Sequence, residues 1–481
     1  MTTRVMKLGG VLVHDGRGIL HAAQLEKQTT RRDTRSIIVV TAMAGVTDAL
    51  LDLADHARQG HADEVRQAVD LLEKRHEEAV QMVFSRTPAM AVQPVVDEEH
   101  ALFASLRQAL AGVALLRELT SRSRDLIVSF GERCSAPIMA AALRAAGLTS
   151  KSLTGGEAGI VTDDTFGSAV PRMDVTRKTI PRALMPLLDR GLTPVVTGFV
   201  AANEEGVMTT LGRGGSDYTA TILGACLPAD EVWIWKEVDG VMTADPKLVP
   251  EAVRVPALSY REVMELAWFG AKVLHPMTVA PVQEAGIPIR IRSAFLPDSP
   301  GTIVQASTPE AGPVKAVTSI RKLTALTIGG AAMVGTSDVV SRVFGVLASA
   351  QLPVLMISQS SSMANVSLVM TQTDAERATR LLRKEFAGST VIRDITTALH
   401  VAIVAVVGDG MRGTPGVAAR LLASLASENI NVLMIAQGSS EVNISLLIAE
   451  KEAQRAVRAI HAAFGLATPW SEQTPRTSFT T

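Results

Sequence analysis

Hydrophobic and polar positions alternate between two kinds of segment over residues 1–300. Runs rich in β-branched residues predict buried strands at residues 36–43, 125–130, 193–200 and 231–238. The alanine- and leucine-rich stretches between them keep helical spacing, most clearly in a helical insertion at about residues 52–124. Strands that alternate with helices in this way predict an α/β protein with a parallel or mixed sheet.

An internal repeat follows a proline-rich stretch at residues 297–313, which is predicted to be a linker. Residues 431–448 align with residues 353–370 without a gap, and Gln437 pairs with Gln359 at an offset of 437 − 359 = 78 residues. Each copy predicts a strand, a glycine turn, a helix, a strand, a polar turn and a strand. The chain is therefore expected to contain two copies of one small α+β unit.

A glycine pattern in the second copy resembles a dinucleotide-binding sequence. Gly408, Gly410 and Gly413 follow a predicted strand with the spacing G-x-G-x-x-G. A dinucleotide site also needs an acidic residue at the end of the next strand, where this chain has Gln437. Since the first copy lacks the middle glycine, a tight turn within the repeat is the better interpretation.

Composition and charge narrow the class of protein. The chain has 481 residues, of which 47% are hydrophobic, so two or three domains with sizeable cores are expected. A net charge of −1 gives no electrostatic footprint for nucleic acid or for an anionic membrane. The two cysteines, Cys134 and Cys226, lie in unrelated sequences, which argues against a disulfide scaffold or a cysteine zinc site.

Two further expectations concern location. The first residues run directly into a predicted strand without a signal-peptide pattern, and no apolar run is predicted to be long enough to span a bilayer. A cytoplasmic protein is therefore expected.

His76 lies within the charged sequence EKRHEE, which favours a solvated helix face over a role as a ligand.

The candidate chemistry lies in four glycine-containing segments, of which the first is MKLGGVLV. Lys7 precedes the pair Gly9 and Gly10 at the end of the first predicted strand. Glycines there allow backbone N–H groups to approach phosphate oxygens, and a lysine supplies a point charge. A simple strand-end turn explains this segment equally well.

The second and third segments offer hydroxyls and one acid. Thr41 and Thr47 flank a glycine turn before a predicted helix, and N-capping is the alternative role for Thr47. Glu132 is predicted at the start of a helix that is otherwise alanine-rich and apolar. Compensation of the helix dipole is an equally good explanation for an acid in that position.

The fourth segment, TTLGRGGSDYTA, is the most specific. Arg213 lies between glycines, and Ser216 and Asp217 follow where an apolar helix begins. Guanidinium donors, free backbone N–H groups and a carboxylate thus meet at one helix N-terminus, which is a natural site for anions. Farther along, the acidic turn in WKEVDGVMTADPK follows a strand, and Lys272 follows an aromatic residue and a glycine.

The motifs KLGG, VVTAMAGVT, SFGER, TTLGRGGSDYTA, VDGVMTADP and FGAKVLHP occur in this order, and they resemble those of the aspartate kinase family. The repeats resemble its paired ACT domains, so the resemblance covers essentially the whole chain. It implies an amino-acid-kinase fold with a mostly parallel central sheet over residues 1–305. ACT-like repeats would follow at residues 316–396 and 397–481.

The implied reaction is phosphorylation of the side-chain carboxylate of L-aspartate by ATP with Mg²⁺, giving 4-phospho-L-aspartate. A carboxylate is already ionised at pH 7, so the reaction needs positioning and charge neutralisation rather than a general base. By resemblance, Lys7 stabilises the transferring phosphoryl group and Asp217 orients it. Arg213 would bind the substrate's α-carboxylate, and Glu132 its α-ammonium group.

The resemblance assigns further residues to two sets. The amino-acid pocket is completed by Thr41, Thr47, Phe199, Gly214, Gly215 and Ser216. The nucleotide is expected to contact Lys7, Gly9, Gly10, Lys236, Glu237, Met242, Lys247, Lys272 and Val273. No residue is assigned as a metal ligand.

Three segments depart from the family pattern. Val11 and Leu12 replace the hydroxyl residues that usually follow the first glycine pair, which removes two donors expected near the phosphates. Lys236 and Glu237 stand where threonine and aspartate are common, and Met242 replaces a common tyrosine. An active aspartate kinase is favoured, and the alternatives are a kinase of another carboxylate or a degenerate regulatory subunit.

Regulation is the last expectation. The repeats are predicted to form an allosteric switch for an amino acid of the pathway that begins with aspartate and leads to lysine, threonine and methionine. Threonine is the first candidate and lysine the second, with Gln359 and Gln437 as the residues that bind it. The alternative is that the repeats only dimerise the chain. In either case a homo-oligomer, a dimer or larger, is expected.

Overall fold

The computed structural model describes residues 2–30, 33–85, 92–270, 274–308, 312–330, 337–360 and 364–468. The chain folds into two compact units. One comprises Met1–Val241 and Leu274–Ala306, and the other comprises Met242–Val273 and Ser307–Thr481. The chain therefore leaves the first unit after Val241 and returns to it at Leu274.

The first unit holds the segments with candidate chemistry. Its elements are β1 (Thr2–Leu8), α1 (Gly16–Thr29), β2 (Thr34–Val40), α2 (Val46–Gln59), α3 (Ala62–Val83), α4 (Gln93–Leu116), α5 (Ser121–Ala145), β3 (Ser150–Leu153), β4 (Val161–Thr162), α6 (Met173–Asp189), β5 (Thr193–Thr197), β6 (Val200–Asn203), β7 (Met208–Thr210), α7 (Gly215–Cys226), β8 (Glu231–Lys236), α9 (Pro276–Ala285), β10 (Ile289–Ser293) and β11 (Thr302–Gln305).

A mostly parallel sheet forms the centre of this unit, as predicted. Its strands run in the order β3-β5-β2-β1-β8-β10-β11, and only the last pair is antiparallel. The predicted strands at residues 36–43, 193–200 and 231–238 correspond to β2, β5 and β8. Met6 and Leu8 of β1 are fully buried in a core cluster with side chains from α1 and α5.

The strand predicted at residues 125–130 is wrong, because these residues belong to helix α5. A short apolar run fits a buried strand and a buried helix equally well, and only its length distinguishes them. Here the run lies inside helix α5, which extends beyond it on both sides and is buried along most of its length. By length and composition α5 could also cross a membrane, contrary to expectation, but 89% of its apolar window is buried within the protein.

Helices α2, α3 and α4 occupy most of the stretch predicted as a helical insertion, and His76 lies in a different environment from the one predicted. Helices α2, α3 and α4 pack against α5 through a shared apolar cluster. His76 of α3 is fully buried rather than solvated, and its ring lies edge-on to Phe103 at 5.3 Å. Its Nδ1 hydrogen-bonds the Leu72 carbonyl at 2.8 Å, and burial lowers the pKa of His76 to about 4.

The second unit contains the repeats. Its elements are β9 (Ala257–Ser259), α8 (Tyr260–Trp268), β12 (Ala316–Gly329), α10 (Ser337–Ser349), β13 (Met356–Gln359), β14 (Asn365–Thr371), α11 (Gln372–Glu385), β15 (Asp394–Val407), α12 (Val417–Ala426), β16 (Met434–Ala436), β17 (Asn443–Ala449) and α13 (Ala453–Ala463). The repeats form one sheet in the order β13-β14-β12-β15-β17-β16. The two halves of this order carry equivalent strands, so the predicted duplication is confirmed.

A buried ion pair holds helix α8 within the second unit. Lys315 Nζ lies 2.9 Å from Glu262 Oε2 of α8, and the two side chains are 3% and 0% exposed. The other oxygen of Glu262 accepts a hydrogen bond from the backbone N–H of Asp409 at 2.7 Å. Since an isolated buried charge is costly, each partner here depends on the other.

Candidate active site

The residues predicted for catalysis and amino-acid binding meet in one cavity of about 330 Å³ in the first unit. It is lined by Lys7, Thr41, Thr47, Glu132, Phe199, Gly212, Arg213, Gly214, Gly215, Ser216 and Asp217. Gly212 is the one lining residue that the sequence analysis did not assign. Its position before Arg213 in the G-R-G-G sequence was the available signal.

Parallel strand order explains why distant segments meet here. Strands β5, β2, β1 and β8 are consecutive in the sheet and parallel, so their carboxyl ends lie at one edge of the sheet. Lys7 is near the end of β1, Thr41 follows β2, and Phe199 follows β5. Ligands of open α/β sheets bind at this edge.

At the cavity, Asp217 lies between two lysines, Lys7 and Lys236. Lys7 Nζ lies 2.8 Å from Asp217 Oδ1, and Lys236 Nζ lies 3.0 Å from Asp217 Oδ2. Burial by itself raises the pKa of Asp217, but the two ammonium groups hold the pKa below its usual value. Asp217 is thus anionic at neutral pH, and the three side chains together retain one positive charge.

The glycine pair after β1 lies against this cluster. A Cβ atom at Gly9 would come within 2.7 Å of Lys7 Nζ and 3.3 Å of Thr41 Cγ2, so a larger residue there would displace the ammonium group of Lys7. A Cβ at Gly10 would lie 3.5 Å from Glu237 Oε1. The structure therefore places Gly9 next to Lys7 and Gly10 next to Glu237, and the nucleotide-binding roles of Gly9, Gly10, Lys236 and Glu237 stay predictions.

The structure explains one of the two hydrophobic residues, Val11 and Leu12, that replace the family's hydroxyl residues after the glycine pair. Leu12 is fully buried in the core cluster of the first unit, and Val11 packs partly buried against the same cluster. A hydroxyl side chain at position 12 would point into this core rather than toward the cavity. Leu12 therefore serves packing, and only the change at Val11 concerns a partly exposed position.

Backbone packing fixes the loop that holds Arg213. Gly214 is left-handed with φ of 77°, and a Cβ there would come within 2.4 Å of His275 Cβ. Phe199 also has a positive φ of 64°, which is unusual for an aromatic residue. Its backbone N–H donates to Thr219 Oγ1 at 3.0 Å, and its carbonyl accepts from Leu211 N–H at 2.9 Å.

Glu132 contributes a buried carboxyl group to the cavity. It lies in the middle of α5 rather than at a helix start, so dipole compensation does not explain it. Its side chain is 4% exposed, and Oε2 has no hydrogen-bond partner among the described residues. Burial raises the pKa of Glu132 to about 8, although a backbone hydrogen bond from Ala42 and the charge of Lys7 oppose this shift.

The remaining assignments divide into three groups. Helix α2 is capped by Gly45 in a left-handed conformation, so Thr47 is free of the capping role and its side chain lines the cavity. Met242 and Lys247 belong to the second unit. Lys272 and Val273 lie outside the described residues. The nucleotide-binding roles of these last four residues stay predictions.

Comparison with known proteins first defines the class. Residues 2–293 match the model of the Amino acid kinase family, and residues 326–386 and 404–464 each match the ACT domain model. The chain is therefore an amino acid kinase domain followed by two ACT domains.

Individual relatives then give the particular family. The chloroplastic aspartokinase 3 of Arabidopsis thaliana is 34% identical, and the match covers 96% of this chain and 81% of that protein. E. coli aspartokinase III in complex with aspartate and ADP has a TM-score of 0.81 and 28% identity, covering 96% of this chain and 100% of that chain. The same enzyme with lysine and aspartate has a TM-score of 0.79 and 28% identity, covering 96% and 99%. The chain belongs to the aspartate kinase family and is a phosphotransferase.

Replacing Glu132 by glutamine tests the buried carboxyl group. Its ordinary pKa is 4.5 and its folded pKa about 8, so the native state holds one more proton than the unfolded state between these values. The resulting stabilisation is fully present below pH 4.5 and is lost as the pH rises to 8. Relative to Glu132→Gln, the wild-type protein should lose about 4 kcal/mol of unfolding free energy between pH 5 and pH 8.

The measurement is denaturant unfolding of both proteins across this pH range, following the transition of the first unit. Equal pH dependence of the two proteins would show that Glu132 is not a protonated, buried acid.

Proposed function

We propose that the chain transfers the γ-phosphoryl group of ATP to the side-chain carboxylate of L-aspartate, giving 4-phospho-L-aspartate. The observation that supports this most directly is the cavity itself. It joins the charged cluster of Lys7, Lys236 and Asp217 to Arg213 and Glu132. A related enzyme, E. coli aspartokinase III, has been crystallised with aspartate and ADP.

One part of the cavity suits the backbone groups of an amino acid. The guanidinium of Arg213 presents a fork of donors that matches a carboxylate. The unpartnered oxygen of Glu132 can accept from an ammonium group, and the charge of that ammonium would lower the raised pKa of Glu132. Binding of an α-amino acid therefore satisfies a group that is otherwise buried without a partner.

The other part suits a phosphoryl group in transfer. Lys7 and Lys236 bring two ammonium groups to the ends of neighbouring strands, and Asp217 fixes both of them. The substrate carboxylate is ionised without help, so its attack on the γ-phosphorus needs alignment and charge neutralisation. Asp217 is already paired with two lysines, so Mg²⁺ would be held mainly by the phosphates of the nucleotide.

A second candidate function is a kinase of another carboxylate. The apolar Val11 beside the glycine pair favours it, because the family's hydroxyl donor is missing there. A degenerate regulatory subunit is disfavoured by the intact cluster of Lys7, Asp217 and Lys236. An assay that traps acyl phosphates with hydroxylamine, run with ATP and a panel of amino acids, separates these possibilities.

Two substitutions should affect the two parts of the cavity differently. Lys7→Ala removes the charge next to the transferring group and should lower kcat about 100- to 1,000-fold. Arg213→Ala removes the partner of the α-carboxylate and should mainly raise the KM for aspartate, by about 2–4 kcal/mol or roughly 30- to 1,000-fold.

The same hydroxylamine assay measures both effects, with Lys27→Ala and Arg122→Ala as controls at exposed positions. Aspartate kinetics that Arg213→Ala leaves unchanged would refute the substrate assignment. Absence of product from aspartate with wild-type protein would refute the proposed reaction itself.

We further propose that an amino acid of the pathway inhibits the enzyme through the repeats, with threonine as the first candidate and lysine as the second. Gln359 ends β13, and Gln437 directly follows the equivalent edge strand β16; both residues are exposed, so their amides are available to a ligand. E. coli aspartokinase III has been crystallised with lysine in its T-state. Pairing of the repeats between two chains would make the enzyme a dimer or a larger oligomer.

The test is aspartate-dependent activity with threonine, lysine or both. Wild-type activity should fall, and Gln359→Ala or Gln437→Ala should weaken the inhibition by about 1–3 kcal/mol of coupling free energy. A wild-type enzyme that ignores every pathway amino acid would contradict the switch. Inhibition that both substitutions leave intact would contradict only the glutamine assignment.

A further inference from the structure

Asp125 is a buried acid that no part of the proposed reaction uses. It lies on α5 and is only 1% exposed. Its Oδ2 accepts hydrogen bonds from the backbone N–H groups of Gly167 at 3.0 Å and Thr210 at 2.9 Å. Its Oδ1 accepts from the Thr210 hydroxyl at 2.9 Å. One carboxylate thus joins a helix, a loop and the end of a strand.

These contacts hold the start of the loop of residues 211–214, which connects β7 to α7 and contains Arg213 and is called the arginine loop below. Thr210 ends β7, and Arg213 follows three residues later. Both donors of Thr210 bind Asp125, and its carbonyl accepts from Ala169 N–H at 2.8 Å. Every polar group of Thr210 therefore has a partner, and the arginine loop leaves this residue in a fixed direction.

The loop around Gly167 also packs against Gly212, two residues after Thr210. A Cβ atom at Gly212 would lie 3.3 Å from Ser168 Cβ and 3.4 Å from the Gly167 carbonyl oxygen. Asp125 holds Gly167 through the same oxygen that holds Thr210. The two backbone segments that enclose Gly212 therefore share one anchor.

The position of Asp125 along α5 relates this anchor to Glu132. The two acids are seven residues apart, which is close to two helical turns, so they share one face of the helix about 10 Å apart. Glu132 faces the cavity, and Asp125 holds the loop that brings Arg213 to the same cavity. One rigid helix face thus relates the two groups that are proposed to bind the two charged groups of the amino acid.

We propose that Asp125 is a positioning residue that sets the distance between Arg213 and Glu132 and thereby the affinity for the amino-acid substrate. The inference rests on the proposed function for its kinetic consequence. Asp125 itself does not touch the substrate and acts only through the arginine loop.

The test is Asp125→Asn, which keeps the shape but leaves one amide NH₂ facing a donor. It should raise the KM for aspartate about 10- to 100-fold, while kcat and the KM for ATP change by less than about threefold. In the Arg213→Ala background it should have little further effect, because the residue it positions is absent. Thr210→Val, which removes one of the three hydrogen bonds, should give a smaller change in the same direction.

Asp163→Asn is the matched control. Asp163 also accepts three hydrogen bonds within the loop that contains Gly167, but it has none with Thr210. It should leave the KM for aspartate unchanged. If the role of Asp125 were only structural, Asp125→Asn would lower the active fraction and kcat, and its effect would add to that of Arg213→Ala.

Hydrogen exchange of the peptide over residues 211–216, measured by mass spectrometry, gives a readout that does not need activity. Exchange there should rise in Asp125→Asn and stay at the wild-type level in Asp163→Asn. Unchanged exchange in Asp125→Asn would overturn the inference, whether or not the protein phosphorylates aspartate. If Arg213→Ala raised the KM for aspartate and Asp125→Asn did not, the inference would fail while the proposed function stood.

Discussion

The candidate site depends on one interaction, the Asp217 carboxylate between the ammonium groups of Lys7 and Lys236. Neighbouring parallel strands lie about 4.8 Å apart, so lysines near the ends of β1 and β8 would repel each other without an anion between them. Three partly or fully buried charges would also be costly if any one of them were unpaired. The first turn of α7 brings the compensating charge to the carboxyl edge of the sheet.

The rest of the first unit can be understood as the support of this cluster. Gly9 lies so close to Lys7 Nζ that a larger residue would displace it. Gly214, in a left-handed conformation, starts α7 and so sets the position of Asp217. Helix α5 supplies Glu132 from one face. Charges that are held before substrate arrives need no reorganisation during the reaction, which is the usual source of electrostatic catalysis.

Much of this arrangement could be predicted from the sequence, and the failures have identifiable causes. A parallel or mixed sheet and the duplicated unit follow from strand patterns and the internal repeat, and the cavity residues follow from short motifs such as G-R-G-G-S-D together with their resemblance to the aspartate kinase family. Residues 125–130 were predicted as a strand because a short, mostly apolar run does not reveal that it lies inside a long helix. The same error placed Glu132 at a helix start. His76 was predicted to be exposed because its neighbours in sequence are charged, whereas its burial depends on Phe103 in another helix.

The anchor at Asp125 could not be predicted at all. Its partners Gly167 and Thr210 are distant in sequence, and although Thr210 belongs to the motif TTLGRGGSDYTA, nothing in that motif relates it to Asp125. Helical periodicity would have placed Asp125 and Glu132 on one face only if the segment had first been recognised as a helix. The proposed link between Asp125 and Glu132 therefore depends on knowing that both residues lie on helix α5.

The central claim is that Asp217 organises the two lysines for phosphoryl transfer, and kcat of Asp217→Asn with aspartate and ATP tests it most directly. Asparagine keeps the shape but removes the charge that holds the two ammonium groups together. The account predicts that kcat falls at least about 100-fold while the KM for aspartate changes by less than about threefold. A kcat equal to that of the wild-type enzyme would contradict the account.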